Sequence, residues 1–80
     1  MKVGFFGRLR DTLGDEREVG ALEGETVARL RRRLAGLHPQ AARDLLSPGV
    51  RACVGDTIVG EDFRLAGHER IEFLPPLSGG

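Results

Sequence analysis

The sequence has a single cysteine and no long hydrophobic run. Its apolar stretches last only a few residues, far short of the roughly 18 residues that a membrane-spanning helix needs. Cys53 has no partner for an internal disulfide, which is typical of a reducing compartment. Met1-Lys2-Val3 is not followed by the apolar core of a signal peptide. These absences predict a soluble, cytoplasmic protein with no membrane partner.

A net charge is also missing, because 12 basic residues balance 12 acidic ones in a chain of 80. Without a basic excess, nucleic acid is not an expected partner. Two histidines and one cysteine, with no cluster at ligand spacing, argue against a metal site. No serine has a suitable His and Asp arrangement, and no glycine-rich phosphate loop opens a helix. The sequence therefore predicts one small domain with no bound cofactor and no catalytic machinery of its own.

Two strands are predicted in the first part of the chain. Residues 2–10 have the period-two alternation of a half-buried strand, whose inward positions are Val3, Phe5 and Leu9. Residues 11–15 have the chemistry of a turn. Residues 17–22 predict a second strand with Val19 and Ala21 facing inward. A hairpin is the simplest connection across so short a gap.

A helix is predicted over residues 27–37, because apolar side chains recur at spacings of three, four and three. This stripe consists of Val27, Leu30, Leu34 and Leu37. The hydroxyl of Thr26 is placed to cap the first turn. Three consecutive arginines, Arg31, Arg32 and Arg33, fall on the arc away from the stripe, where we expect them to face solvent.

The second half predicts a short helix over residues 40–46 and then three strands. The first strand spans residues 50–54, and Cys53 in its middle is expected to serve packing. Gly55-Asp56 is a two-residue turn into the second strand, residues 57–59. Phe63 and Leu65 are expected to pack, and residues 70–74 form the last strand.

The predicted order is strand, strand, helix, short helix and three strands, an α+β fold in which one main helix covers one face of a small sheet. The other face is left to water. If Phe5, Val59 and Phe73 face the helix, alternation turns Phe6, Ile58 and Leu74 outward. Burying one such side chain contributes roughly 1.5–3 kcal/mol, so the three predict a docking patch.

The chain ends in an unusual segment, Pro75-Pro76-Leu77-Ser78-Gly79-Gly80. The two prolines have no N–H to donate, so the last strand must stop there. We therefore expect a domain of residues 1–76 and a flexible tail of residues 77–80, which in extended form reaches roughly 13 Å. Gly79 and Gly80 have no side chains, so the tail is suited to a narrow channel with the Gly80 carboxyl as its reactive group. The alternative is a frayed end without function.

Over nearly its whole length the chain resembles the MoaD-type small, sulfur-carrying subunits of molybdopterin synthase, which are ubiquitin-like β-grasp proteins. The most specific element is the Pro-Pro-x-Ser-Gly-Gly ending. The other matching segments are Val3–Arg10, Thr26-Val27 with Leu30 and Leu34, Val54–Val59 and Glu69–Leu74. Gly55 and His68 depart from the family, which commonly has Asn and Asp at these turn positions.

The resemblance implies a cycle on Gly80 that ends in sulfur transfer. A MoeB-type, ubiquitin-activating-like enzyme would use ATP to adenylate the Gly80 carboxyl, and a sulfur donor protein would convert it to a thiocarboxylate. The large MoaE-type subunit would receive the tail and use this sulfur to build the dithiolene of molybdopterin. Leu77, Ser78 and Gly79 would give the tail access to its partners. The family's partner interface maps onto Phe6, Ile58, Leu74, Pro75 and Pro76.

Three other functions are compatible with the sequence. A ThiS-type sulfur carrier for thiamine biosynthesis shares the fold and the Gly-Gly end. A ubiquitin-like modifier would be conjugated to target proteins through Gly80; building chains of itself would need acceptor lysines, and Lys2 is the only one, although single conjugation stays open. The third alternative is an interaction domain with an inert tail.

Overall fold

The computed structural model describes residues 1–20 and 22–76. Within them, no helix has both the length and the apolar character required to cross a membrane. The strands are β1 (Lys2–Phe5), β2 (Glu16–Glu18), β3 (Arg51–Val54), β4 (Thr57–Val59) and β5 (Arg70–Leu74). The helices are α1 (Arg8–Leu13), α2 (Val27–Leu37) and α3 (Ala42–Leu45), with a 3₁₀ turn at Pro39–Ala41 before α3.

The five strands form one mixed sheet in the order β2-β1-β5-β3-β4. β1 runs parallel to β5, and the other neighbours are antiparallel. Phe73 in β5 lies opposite Phe5 on one side and Ala52 on the other. The last strand of the chain is therefore the central strand of the sheet, with hydrogen-bonded neighbours on both sides.

The core lies between the helices and one face of this sheet. Alternation along the strands places Val3, Phe5, Ala52, Ile71 and Phe73 on this face, where each is almost completely buried. The rings of Phe5 and Phe73 stack with centroids 6.2 Å apart. Val59 is half-buried against the same core. The predicted inward set of Phe5, Val59 and Phe73 is confirmed.

Helix α2 spans residues 27–37, as predicted from its apolar spacing. Thr26 Oγ1 accepts a hydrogen bond from the Arg29 N–H at 3.2 Å, which satisfies one donor of the first turn. Val27, Leu30 and Leu34 are completely buried. Leu37 is 62% exposed, so the prediction that it belongs to the buried stripe was wrong. It is the last residue of the helix.

The prediction of one strand over residues 2–10 was wrong after Phe5. Gly7 has φ 65° and ψ −138°, a conformation that only glycine adopts readily, and it turns the chain into helix α1. Leu9 and Leu13 are buried one helical turn apart. Residues 11–13 are therefore helical rather than part of a turn. Leu9 is inward as predicted, but from a helix.

Strand β2 is shorter than predicted and begins one residue earlier, at Glu16. Val19, just beyond it, is buried as expected. Ala21, the other predicted inward residue, lies outside the described part of the chain. After β4, Leu65 is buried as predicted, whereas Phe63 is 39% exposed and does not pack as expected.

The three consecutive arginines have three different environments, and the prediction that all face solvent was wrong for two. Only Arg32 is exposed. Arg31 is buried and bonds the Glu61 carboxylate through Nε and Nη2, at 3.1 and 2.8 Å. Arg33 bonds the carboxylate of buried Glu25 at 3.0 and 2.7 Å, and this hydrogen bonding raises the pKa of Arg33 above its usual value. The apolar stripe alone did not reveal these acidic partners.

Replacing Arg33 is expected to destabilise the fold strongly. Arg33→Leu leaves the Glu25 carboxylate, whose side chain is only 1% exposed, without its ion-pair partner. Breaking a buried pair on one side typically costs about 3–5 kcal/mol. Arg32→Leu is the matched control and should change the free energy of unfolding by no more than about 0.5 kcal/mol. Urea unfolding of both variants checks this, and equal effects would refute the assignment.

Candidate functional site

The candidate site begins where the central strand β5 ends. Leu74 lies opposite Arg51 of β3. On the other side, the Phe6 N–H donates a hydrogen bond of 3.2 Å to the Phe73 carbonyl. Pro75 and Pro76 follow at once and have no N–H with which to extend this ladder. The sheet thus holds the chain firmly up to Leu74 and releases it at the prolines.

Two glycines lie against the two prolines. A Cβ atom on Gly7 would stand 2.8 Å from Cβ of Pro75, closer than real Cβ contacts come. A Cβ atom on Gly49 would stand 3.1 Å from both Cβ and Cγ of Pro76. Gly7 joins β1 to α1, and Gly49 precedes β3. We call these four residues the proline cradle: Gly7, Gly49, Pro75 and Pro76.

The turn that carries Gly49 has its own hydrogen bonds. The Ser47 N–H donates to the Asp44 carbonyl at 3.2 Å, and the Val50 N–H donates to the Ser47 carbonyl at 3.1 Å. Val50 is buried in the core. Gly49 is therefore held from both sides, and its position relative to Pro76 is set by the packing of the domain.

A cavity of about 270 Å³ opens beside the cradle. Apolar side chains form most of its lining, and one ion pair, Arg8 Nε to Asp44 Oδ2 at 3.6 Å, also borders it. Its lining residues are Phe6, Arg8, Leu9, Asp44, Ser47, Val50, Pro75 and Pro76. The surface around the base of the tail is therefore concave and mostly apolar.

The sheet face opposite the helices is divided into a charged half and an apolar half. On the charged half, Arg70 bonds the carboxylates of Glu16 and Glu72, and the hydrogen bond with Glu16 raises the pKa of Arg70 above its usual value. Lys2 Nζ lies 4.0 Å from Glu16 Oε1. The N-terminal ammonium donates to Glu18 at 2.7 Å, which lowers the pKa of that carboxyl. These groups pair with one another in water.

The apolar half lies on β3, β4 and the end of β5, and it includes one exposed charged residue, Arg51, which pairs with Leu74 on the same face. Ile58 is 46% exposed and pairs with Cys53 of β3, and Leu74 is half-buried at the end of β5. Alternation places all three on the face away from the helices. Cys53 Sγ donates a hydrogen bond of 3.2 Å to the Gly55 carbonyl. Phe6, 38% exposed, lies between this half and the cavity that it lines.

This surface has no features of a metal centre within residues 1–20 and 22–76. No three His, Cys, Asp or Glu side chains in that part of the chain are grouped to hold a metal ion. The arrangement provides a fixed end of strand β5, a concave apolar surface beside it, and the apolar half of the sheet face opposite the helices, which we call the open face. Such features suit contact with another protein.

Comparisons with known proteins identify the family. A profile of the ThiS family matches residues 3–80. The chain belongs to the ThiS family. It is 31% identical over 80 residues to an Escherichia coli (strain K12) protein named molybdopterin synthase sulfur carrier subunit, and the match covers 100% of this chain and 99% of that protein.

Solved structures place this ThiS-family chain in the β-grasp fold. SAMP1 from Haloferax volcanii has a TM-score of 0.78 at 22% identity, covering 99% of this chain and 97% of that one. A putative molybdopterin converting factor subunit 1 from Pyrococcus furiosus has a TM-score of 0.77 at 26% identity, covering 95% of each chain. The predicted α+β class and the ubiquitin-like β-grasp fold are confirmed, as is the resemblance to MoaD-type proteins.

The predicted site residues of this ThiS-family chain fall into two groups. Phe6, Ile58, Leu74, Pro75 and Pro76 are described, and all five lie on the open face or around the cavity. Their role as a partner interface stays a prediction. Leu77, Ser78, Gly79 and Gly80 lie outside the described residues, as does the predicted tail as a whole.

Sequence reasoning missed Gly7 and Gly49 as members of the site. Each has a local signal, since Gly7 separates a strand from a helix and Gly49 ends a Ser-Pro-Gly turn. Neither signal points to a proline, because Gly7 and Pro75 are 68 positions apart in the sequence. The cradle exists only once the sheet has placed β1, β3 and β5 side by side.

A methyl group at Gly7 should destabilise the fold more than one at a comparable glycine. Gly14 is the matched control: it has φ 88° and ψ −179°, but a Cβ atom added to it would have no atom of the described residues within 4 Å. Both alanine variants incur a backbone cost of about 1–3 kcal/mol. Gly7→Ala should lose roughly 1–3 kcal/mol more through overpacking against Pro75.

Urea unfolding of Gly7→Ala and Gly14→Ala measures this difference. Gly49→Ala, whose φ carries no such backbone cost, should show a smaller loss from the contact with Pro76 alone. Equal losses for Gly7→Ala and Gly14→Ala would contradict the proline cradle.

Proposed function

We propose that this chain is a sulfur carrier that bears its sulfur on the C-terminal carboxyl of Gly80. One observation supports this most: the ThiS-family match runs to residue 80 and thus includes the Gly-Gly end. The full-length relative is named a sulfur carrier subunit. The geometry agrees, because the tail follows a base that the sheet and the proline cradle hold in place.

The carrier's chemistry needs activation, because a carboxylate is a poor electrophile. A Gly80 carboxylate oxygen attacks the α-phosphate of ATP, pyrophosphate leaves, and an acyl adenylate forms. A sulfur nucleophile from a donor protein then attacks the acyl carbon, and the C–O bond to AMP breaks. When the donor is a cysteine persulfide, its outer sulfur becomes bonded to the acyl carbon and an acyl disulfide forms. A thiol reductant then attacks the sulfur of the donor cysteine, a new disulfide forms with it, and the terminus leaves as a thiocarboxylate, which is a nucleophile tethered to a protein.

In this function the chain supplies the reacting group and the docking surface, and its partners supply catalysis. We propose a ubiquitin-activating-like enzyme of the MoeB type as the adenylating partner, with ATP bound there rather than on this chain. Steric access for the reaction comes from Gly79, together with Ser78 and Leu77. The carrier is thus a substrate and subunit rather than an enzyme on its own.

We assign the carried sulfur to molybdopterin, with this chain as the small subunit of molybdopterin synthase. The support is the name of the Escherichia coli relative at 31% identity over the whole chain. The thiocarboxylate would enter a large, MoaE-type subunit and provide sulfur for the dithiolene. The apolar half of the open face, together with Phe6, Pro75 and Pro76, would contact that subunit.

Removal of Gly80 tests the proposal. The variant lacking Gly80 should unfold at the wild-type temperature, because the residue lies four positions beyond Pro76, the last described residue. It should lose all sulfur transfer in a reaction reconstituted with an activating enzyme, a sulfur donor, a large subunit and the pterin precursor. Full transfer by the shortened chain would refute a carrier role for Gly80.

The same reconstitution separates the alternative functions. Transfer to a thiamine precursor instead of the pterin precursor would keep the carrier chemistry and reject the molybdopterin assignment. Formation of an amide between Gly80 and a lysine of another protein would favour a modifier.

An alteration of the apolar half should weaken binding to the large subunit without unfolding the carrier. Ile58→Ser removes an exposed apolar side chain from β4 and should raise Kd about 10- to 100-fold, since buried interface anchors contribute roughly 1.5–3 kcal/mol. Leu37→Ser is the matched control, because Leu37 is also apolar and exposed but lies at the end of α2. Calorimetric titration checks both variants, and equal Kd values for the two would contradict the assigned interface.

A further inference from the structure

Arg31 makes contacts that a solvent-facing helix arginine does not make. Its side chain is 7% exposed. Nη1 donates to the Leu45 carbonyl at 2.7 Å and lies 3.4 Å from the Ser47 carbonyl. The guanidinium carbon lies 5.3 Å from the centre of the Phe73 ring, within the range of a cation–π contact. The Glu61 carboxylate accepts hydrogen bonds from Nε and Nη2 and so forms a bidentate ion pair with Arg31.

Two of these contacts involve residues that lie close in the chain to members of the proline cradle. Phe73 is two positions before Pro75 on the central strand. The Ser47 carbonyl, which Arg31 approaches, also accepts the hydrogen bond of the Val50 N–H. Gly49, between Ser47 and Val50, is the residue against which Pro76 rests. Arg31 therefore contacts the turn that carries Gly49 and the strand that leads into Pro75 and Pro76.

We propose that Arg31 is a positioning residue for the tail: it fixes the turn at residues 47–49 relative to Phe73 and so sets where Pro76 lies. This inference rests on the proposed function, because position matters only if the tail enters a partner's active site. The position of Pro76 sets where the short tail begins and so which positions Gly80 reaches in a partner, and misplacement of a reacting group by about 1 Å is enough to lower a rate by up to 100-fold.

The chemistry of the contacts explains why the residue is arginine. A planar guanidinium has donors in several directions and a flat face. Here the donors bond one carboxylate and two carbonyls while the group also lies over the ring. An ammonium group has a compact charge and no planar face, so lysine at this position would keep the attraction to Glu61 but not the whole set of contacts.

The test compares Arg31→Met with Arg33→Leu. Both variants remove an arginine of helix α2 that forms a bidentate ion pair. Arg33, however, contacts Glu25 and the Gly20 carbonyl, which within the described residues have no bond to the turn at residues 47–49. Measurements are made at a temperature where both variants are fully folded by circular dichroism. Two readouts are used: the NOE between Gly49 Hα and the Pro76 ring, and kcat/KM for adenylation of the carrier by its activating enzyme.

We expect Arg31→Met to lose the NOE and to lower kcat/KM about 10- to 100-fold, while Arg33→Leu keeps both at the wild-type level. Arg31→Lys should retain stability better than Arg31→Met but recover less than half of the lost kcat/KM. An unchanged NOE and kcat/KM in Arg31→Met, or equal losses in Arg33→Leu, would overturn the inference. If the wild-type chain is not adenylated at all, the proposed function fails instead, and the NOE alone decides the role of Arg31.

Discussion

The central position of β5 is the constraint on which the rest of the structure depends. Strands β1 and β3 are both hydrogen-bonded to it, so the last strand of the chain lies inside the sheet rather than at its edge. Edge segments and chain ends open most easily, whereas central strands exchange only with global unfolding. Pro75 and Pro76, which follow Leu74, are therefore attached to the most stable part of the fold. β1 and β5 are also parallel, a pairing that needs a long crossover connection, and the helices lie in the segment between the two strands.

The end of β5 meets two opposite requirements. The chain must be fixed up to the last strand residue, yet it must leave the sheet without pairing further. Pro75 and Pro76 satisfy the second requirement, because they have no N–H. The close approach of Pro75 to Gly7 and of Pro76 to Gly49 serves the first, because the exposed proline rings lie where a Cβ atom on either glycine would crowd them. On the charged half of the open face the side chains form ion pairs with one another, whereas the other half presents exposed Ile58 together with Leu74 and Arg51.

Much of the fold is predictable from the sequence, because the spacing of apolar residues along the chain indicates which side chains are buried. The spacing of Val27, Leu30 and Leu34 predicts helix α2, and strand alternation correctly turns Ile58 away from the core. Apolar spacing does not distinguish a strand from a helix when the spacing fits both. Leu9 lies four positions after Phe5, and residues four positions apart lie on the same face in a strand and in a helix alike. Apolar spacing also fails for Arg31 and Arg33, because the spacing of a charged residue on a helix is the same whether its side chain faces water or pairs with a carboxylate from another segment. The proline cradle was beyond sequence reasoning, since it joins residues that only the folded sheet brings together.

The central claim is that this firmly held base presents a terminus that accepts sulfur. The most direct measurement is the intact mass of the full chain after incubation with ATP, an activating enzyme and a sulfur donor, followed by fragmentation to locate the change. The account predicts a gain equal to the exchange of one oxygen for one sulfur, confined to Gly80. An unchanged mass, while a known carrier in the same reaction is converted, would contradict it.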